Sequence, residues 1–141
     1  MGEQSISALT KEQKVRQYGE VFTPLHIVRQ MCDALPLEAW EVDKTFLEPT
    51  CGDGVFVCEI LRRKFANCKK RVDYTTALKS VYAMEIQADN VAKTIENVTA
   101  LCEQFIKLTK AEKQIINDHI IQADSLKVMR MMNDPQLGHE G

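Results

Sequence analysis

The 141-residue sequence has no long apolar run, no C-x-x-C pair and no excess of positive charge. A membrane-spanning helix needs about 20 largely apolar residues in a row, and the sequence offers no such stretch. Its first residues also lack the basic and apolar regions of a signal peptide. The five cysteines without paired spacing are typical of free thiols in a reducing compartment rather than of zinc ligands or disulfides. We therefore expect a cytoplasmic protein without a membrane partner or a metal.

The charge is nearly balanced, which bears on nucleic-acid binding. A net charge of −2 gives no electrostatic reason to expect that this chain by itself binds DNA. Two short basic clusters, Arg62–Lys64 and Lys69–Arg71, are typical of a solvated helix end and a loop. The 45% apolar and 27% charged composition is that of an ordinary globular protein, and the length suits one domain.

Helical and strand-like patterns alternate along the chain. The capping box Thr10–Gln13 predicts a first helix, and a second is predicted to begin at Thr23, as its cap, and Pro24. Strands are predicted at 44–48, 80–86 and 120–123. Later helices are predicted at 55–65, 73–79, 89–108 and 109–117, and a last short helix follows Asp124 and ends at 132.

This alternation predicts the fold class. Strands separated by helices are typical of an α/β, doubly wound parallel sheet with helices on both faces, here with about three strands. We expect a single partial domain with three parts. These are an N-terminal helical part (1–43), a βαβαβ part (44–132) and a polar, frayed tail (133–141).

A glycine loop, Glu48-Pro-Thr-Cys-Gly-Asp-Gly-Val-Phe56, connects the first predicted strand to the next helix. Doubly wound sheets bind ligands at the carboxyl ends of their strands. Three carboxylates, Glu48, Glu85 and Asp124, fall at or just after those ends. Each of them alone is typical of a helix cap, but together with the glycine loop they indicate a binding site.

A dinucleotide is the first alternative for the ligand. The G-x-G-x-x-G fingerprint of dinucleotide-binding proteins needs a third glycine at the position of Val57. In those proteins the carboxylate that binds the ribose follows the fingerprint by about 20 residues. Glu85 instead follows Gly54 by 31 residues. Glu48 and Asp53 would also put negative charge against a pyrophosphate. Such carboxylates favour a ligand that carries an ammonium group and a positive sulfur.

Four motifs in this order resemble those of the S-adenosylmethionine-dependent DNA methyltransferases that modify the N6 of adenine, as in restriction–modification systems. Glu48–Phe56 resembles the family's D-P-x-C-G-S-G-x-F cofactor loop, with Glu for Asp and Asp for Ser. Phe22-Thr-Pro24 resembles the element before the sheet, and Tyr82–Ile86 and Ala123–Leu126 resemble the second-strand and third-strand motifs. The resemblance covers about residues 17–132 and implies a Rossmann-like sheet of the methyltransferase type.

The resemblance implies S-adenosylmethionine as the cofactor, with S-adenosylhomocysteine as its product. It implies that Glu85 holds the ribose hydroxyls, that Asp124 accepts from the adenine amino group, and that the Thr23 motif touches the methionine part. For Phe56 and Ile86, core packing is an equal alternative. The implied cofactor-binding residues are Phe22, Thr23, Pro24, Glu48, Pro49, Cys51, Gly52, Asp53, Gly54, Phe56, Glu85, Ile86, Asp124, Ser125 and Leu126.

The family's catalytic motif, (D/N/S)-P-P-(Y/F), is missing, because the sequence contains no Pro-Pro pair. This motif holds the target adenine once it has left the base stack. The nearest stretch, Asn133–Gln136, has one proline and no aromatic residue. The resemblance therefore implies no catalytic residue here, but the cofactor-binding portion of a methyltransferase that acts on DNA only when completed by a catalytic half. The alternative is a non-catalytic S-adenosylmethionine-binding or interaction protein that keeps the fold.

The predicted strand order is third, second, first, which places strand 44–48 at an edge of the sheet. An unpaired apolar edge is a template for pairing with another chain. In the family this strand lies mid-sheet, between the second and fourth strands. We therefore expect self-association or a partner chain at the 44–48 edge and the helix 55–65.

Overall fold

A computed structural model of the chain describes residues 23–49 and 51–133 and shows an α/β fold. This part of the chain contains six α-helices and a three-stranded parallel sheet, which confirms the predicted alternation. None of these helices is long and apolar enough to cross a membrane. The elements are α1 (Leu25–Asp33), a 3-10 turn (Leu37–Trp40), β1 (Phe46–Glu48), α2 (Val55–Phe65), α3 (Arg71–Ser80), β2 (Val81–Glu85), α4 (Ala88–Glu103), α5 (Lys110–His119), β3 (Ile120–Gln122) and α6 (Ser125–Asn133).

Several helix boundaries follow the local sequence signals. Helix α2 occupies the predicted range and begins after Gly54, which is left-handed at φ 91°. Helix α5 begins at the predicted capping box, where Thr109 Oγ1 accepts from the Glu112 amide at 3.1 Å and Glu112 Oε1 accepts from the Thr109 amide at 2.9 Å. The fourth helix ends at Glu103, earlier than predicted, where the amides of Phe105 and Ile106 both turn back to one carbonyl oxygen, that of Cys102.

Other predictions for the two ends of the chain are wrong or fall outside the described residues. The N-cap of α1 is Pro24 and no side chain caps the helix, so Thr23 does not have the predicted role. The predicted helix opened by Thr10–Gln13 lies outside the described residues. Asn133, placed in the frayed tail, belongs to α6, and residues 134–141 lie outside the described part.

The sheet has the order β1-β2-β3, so β1 is an edge strand as predicted. All pairing is parallel. Leu47 of β1 is in register with Tyr82 of β2, and Met84 of β2 with Ile121 of β3. The carboxyl ends of all three strands therefore lie together at one end of the sheet. This end, here called the carboxyl edge, is distinct from the edge strand β1.

The hydrophobic core lies on one face of this sheet. Val81 and Ala83 of β2 and Ile120 of β3 are buried in one cluster with apolar residues of α2, α3, α4 and α5. On the other face Leu47, Tyr82 and Ile121 are 54%, 38% and 43% exposed, whereas Met84 is buried at 7%. The prediction of helices on both faces is therefore confirmed only for the core face, where the helices of the two crossovers lie. Both crossovers advance in the same direction across the sheet, and crossovers of one hand then place their helices on one face.

Helix α2 is less exposed than the sequence suggested. Its inner residues Val57, Ile60 and Leu61 are buried, and α1 packs against it. Arg63 of α2 donates to Asp33 of α1 at 2.7 Å. The exposed apolar surface beside β1 is therefore the open face of the sheet rather than α2.

Candidate functional site

The carboxyl edge of the sheet brings the predicted motifs together. The amide of Cys51, in the glycine loop, donates to the Met84 carbonyl of β2 at 2.9 Å. The amide of Ala123, after β3, donates to the Glu85 carbonyl at 3.1 Å. The segments after β1 and β3 therefore both remain bonded to the end of β2. The glycine loop, Glu85 and the Asp124 motif lie at one edge, as predicted.

Glu85 is the central carboxylate of this edge and is only 4% exposed. Its Oε1 accepts from the Gly52 amide at 3.2 Å, and its Oε2 accepts from the Gln87 amide at 2.7 Å. A carboxylate offers about four acceptor positions. Glu85 therefore anchors the loop to β2 and keeps acceptor capacity for further donors.

The two glycines of the loop adopt conformations that other residues rarely take. Gly52 has φ 53° and Gly54 has φ 91°, both in the left-handed region. A Cβ atom on Gly54 would lie 2.8 Å from the Cγ2 atom of Thr94 in α4. The packing of the loop against α4 thus requires glycine at position 54.

Helix α4 contacts the loop through two side chains that sequence reasoning missed. Thr94 Oγ1 donates to the Gly52 carbonyl at 2.8 Å, and Asn97 Nδ2 donates to the Asp53 carbonyl at 2.9 Å. Thr94 is fully buried beside Val98. A polar residue on the buried side of an amphipathic helix was the signal available in the sequence.

The thiol of Cys51 is buried in the loop, with Sγ 3.6 Å from Thr94 Oγ1. Burial raises the pKa of Cys51 to about 11, although the hydrogen bond with Thr94 acts in the opposite direction. A thiol with such a pKa stays protonated at neutral pH and is a poor nucleophile. Cys51 therefore acts as a packing residue of the loop.

Asp124 caps the helix that follows it. Its Oδ1 accepts from the Leu126 amide at 3.0 Å and from the Lys127 amide at 3.4 Å, at the start of α6. Ser125 is half-buried and Leu126 is 66% exposed. Asp124 is therefore a helix cap, which is the alternative role that the sequence indicated. The two hydrogen bonds hold its carboxylate at the carboxyl edge of the sheet.

The remaining described residues of the predicted cofactor site are half-buried or exposed. Glu48, Pro49 and Asp53 are half-buried, Phe56 is half-buried against the core, and Ile86 is 44% exposed. Thr23 and Pro24 precede α1, and no hydrogen bond within residues 23–49 and 51–133 joins them to the loop. Phe22 lies outside the described residues.

The carboxylates of Glu85 and Asp124 both accept hydrogen bonds from backbone amides. Within the described part of the chain, no three His, Cys, Asp or Glu side chains are grouped to hold a metal ion.

Comparison of the chain with known protein families, with curated proteins and with solved structures finds no match in any of the three.

Proposed function

We propose that the carboxyl edge of the sheet binds S-adenosylmethionine, and that the chain is the cofactor-binding portion of an adenine-N6 DNA methyltransferase. One observation carries the proposal. The buried carboxylate of Glu85 at the end of β2 binds the amide of the left-handed Gly52 in the loop after β1. This links a candidate acceptor for ribose hydroxyls directly to a candidate loop for the methionine part.

The chemistry of the edge suits this ligand better than a dinucleotide. Glu48, Asp53, Glu85 and Asp124 are carboxylates at or near the strand ends, and they favour the ammonium and sulfonium charges of the cofactor over a pyrophosphate. The acceptor positions that Glu85 does not use for Gly52 and Gln87 suit two hydroxyl donors. When bound, S-adenosylmethionine supplies an electrophilic methyl group.

Methyl transfer to DNA would need residues beyond this chain. The sequence has no Pro-Pro-aromatic motif to hold an adenine, and positioning the reacting groups is a large part of such catalysis. The chain would act on DNA only when further strands complete the sheet at the β1 edge. We expect the purified chain to transfer no labelled methyl group to adenine-containing duplex DNA.

A second candidate function is a non-catalytic cofactor-binding or interaction protein. The open face of the sheet favours it, because Leu47, Tyr82 and Ile121 form exposed apolar surface beside the β1 edge. Surface of this kind is typical of a protein contact. The partner would be a second copy of the chain or a polypeptide that extends the sheet.

A thermal-shift titration tests the proposed ligand. S-Adenosylmethionine or S-adenosylhomocysteine at 100 times its dissociation constant should stabilise the fold by about 2.7 kcal/mol. NAD is the matched control, because it shares the adenosine part and adds a pyrophosphate, and it should give no shift. An absence of any response to millimolar S-adenosyl ligands, or an equal response to NAD, would contradict the proposal.

A further inference from the structure

Helix α4 supplies two side chains to successive carbonyl groups of the glycine loop. Thr94 binds the carbonyl of Gly52 at 2.8 Å, and Asn97 binds the carbonyl of Asp53 at 2.9 Å. The two donors are three residues apart, so they project from the same side of the helix. The helix after the second strand therefore holds the loop that follows the first strand.

These contacts fix the peptide groups on both sides of Gly52. Its amide is bound by Glu85 at 3.2 Å and its carbonyl by Thr94, so its left-handed conformation is held from both ends. The amide of Gly54 donates to the Cys51 carbonyl at 2.7 Å, which closes the turn. Three consecutive peptide groups of the loop, from Cys51 to Gly54, thus have bonded partners.

The methyl group of Thr94 makes a separate contribution. A Cβ atom on Gly54 would lie only 2.8 Å from Thr94 Cγ2, so the side chain packs closely against the end of the loop. The hydroxyl therefore sets the orientation of a peptide group, whereas the methyl group fills space. These two contributions can be separated by substitution.

We propose that Thr94 and Asn97 are positioning residues, which hold the glycine loop in the geometry that receives the methionine part of the cofactor. This inference rests on the proposed function. A loop fixed before binding does not lose further backbone freedom when the ligand arrives, and such preorganisation increases affinity. Releasing the loop should thus weaken binding even though neither side chain need touch the ligand.

Calorimetric titration of S-adenosylhomocysteine into four variants tests the proposal. Thr94→Val keeps the shape but removes the hydroxyl, and Asn97→Ala removes the amide; each should raise the dissociation constant about fivefold to tenfold. Thr94→Ser keeps the hydroxyl and should bind within about twofold of the wild type, although losing a buried methyl group lowers its melting temperature. Thr99→Val, on the same helix, is the matched control. Wild-type affinity in folded Thr94→Val and Asn97→Ala would overturn the proposal.

Amide hydrogen exchange without any ligand separates this inference from the proposed function. In Thr94→Val the Gly54 amide should exchange about tenfold faster than in Thr94→Ser, while the amides of β2 stay protected. Unchanged exchange at Gly54 would overturn the positioning role. If the wild type binds no S-adenosyl ligand, the proposed function fails, and this exchange comparison still decides whether Thr94 positions the loop. Asn97→Ala provides the same readout if Thr94→Val does not fold.

Discussion

The Oε1 atom of Glu85 lies 3.2 Å from the amide nitrogen of Gly52, 33 residues earlier in the chain. The other carboxylate oxygen accepts from the amide of Gln87 at 2.7 Å. One buried side chain therefore connects β2, the turn after β2 and the glycine loop. Glu85 therefore contributes both to the stability of the fold and to the proposed binding site.

Replacing Glu85 should destabilise the fold as well as the site. Glu85→Gln keeps the size but replaces one acceptor oxygen with a donor NH₂ that faces a backbone amide. Hydrogen bonds to charged groups contribute about 1.5–3 kcal/mol, and we expect a loss of unfolding free energy in this range. Urea unfolding measures it. Glu103→Gln, at an exposed position of α4, should stay within about 0.5 kcal/mol of the wild type. Equal stability of both variants would remove the anchoring role of Glu85.

Glu112 should make stability depend on acid pH. Its buried carboxylate accepts from both Arg71 Nη atoms at 2.7 Å, and also from Thr75 and Thr109. These bonds, those from Arg71 foremost, lower the pKa of Glu112 from 4.5 to about 2. Because the folded-state pKa is the lower one, the stabilisation is complete above pH 4.5 and disappears as the pH falls through about 2.

The matched variant for this effect is Glu112→Gln. Since Arg71 is half-exposed and therefore partly screened by solvent, we expect the wild type to exceed the variant by about 2 kcal/mol at pH 7. Unfolding at several pH values should show this difference shrinking between pH 4.5 and about 2. A difference that is constant across this range would contradict the assignment to ionised Glu112.

Lys64 is a fully buried lysine that should stabilise the segment before β1. Its Nζ atom donates to the carbonyl groups of Glu41 at 2.8 Å, of Val42 at 3.4 Å and of Lys44. Lys64→Met keeps an apolar stem but leaves these carbonyls without their donor, so we expect a loss of about 1–3 kcal/mol in thermal or urea unfolding. The exposed Lys69→Met is the control. A Lys64→Met variant as stable as this control would show that the contacts contribute nothing.

The edge strand and the open face of the sheet should cause association. Leu47 is 54% exposed on that face and lies within the edge strand β1. Light scattering of the wild type should show a mass that rises with concentration, and Leu47→Lys should reduce it, because charge on an edge strand discourages pairing. Lys107→Ala, in the loop after α4, is a surface control. A strictly monomeric wild type with freely exchanging amides at 45–47 would contradict this prediction.

The sequence was sufficient for the elements with strong local signals. The capping box at Thr109 and the turn at Gly54 defined the starts of two helices, and the strand-end position of Glu85 placed it at the sheet edge. The strand order was also predicted. These features depend on a few neighbouring residues, or on the general geometry of parallel sheets.

Features that depend on distant contacts could not be predicted in the same way. Lys64 belongs to a basic cluster whose sequence is typical of a solvated helix end, yet carbonyl groups 20 to 23 residues away surround its amine. The contact of Thr94 with Gly52 spans 42 residues. Local patterns carry no information about such partners.

The most direct measurement of the central claim is a calorimetric titration of S-adenosylhomocysteine into the wild type and into folded Glu85→Gln. We predict binding to the wild type at one ligand per chain. Since Glu85→Gln loses a charged acceptor for the ribose, its dissociation constant should be higher by a factor of about ten or more. The absence of binding heat in the folded wild type, or equal affinities of the two proteins, would contradict the assignment of this edge as an S-adenosylmethionine site.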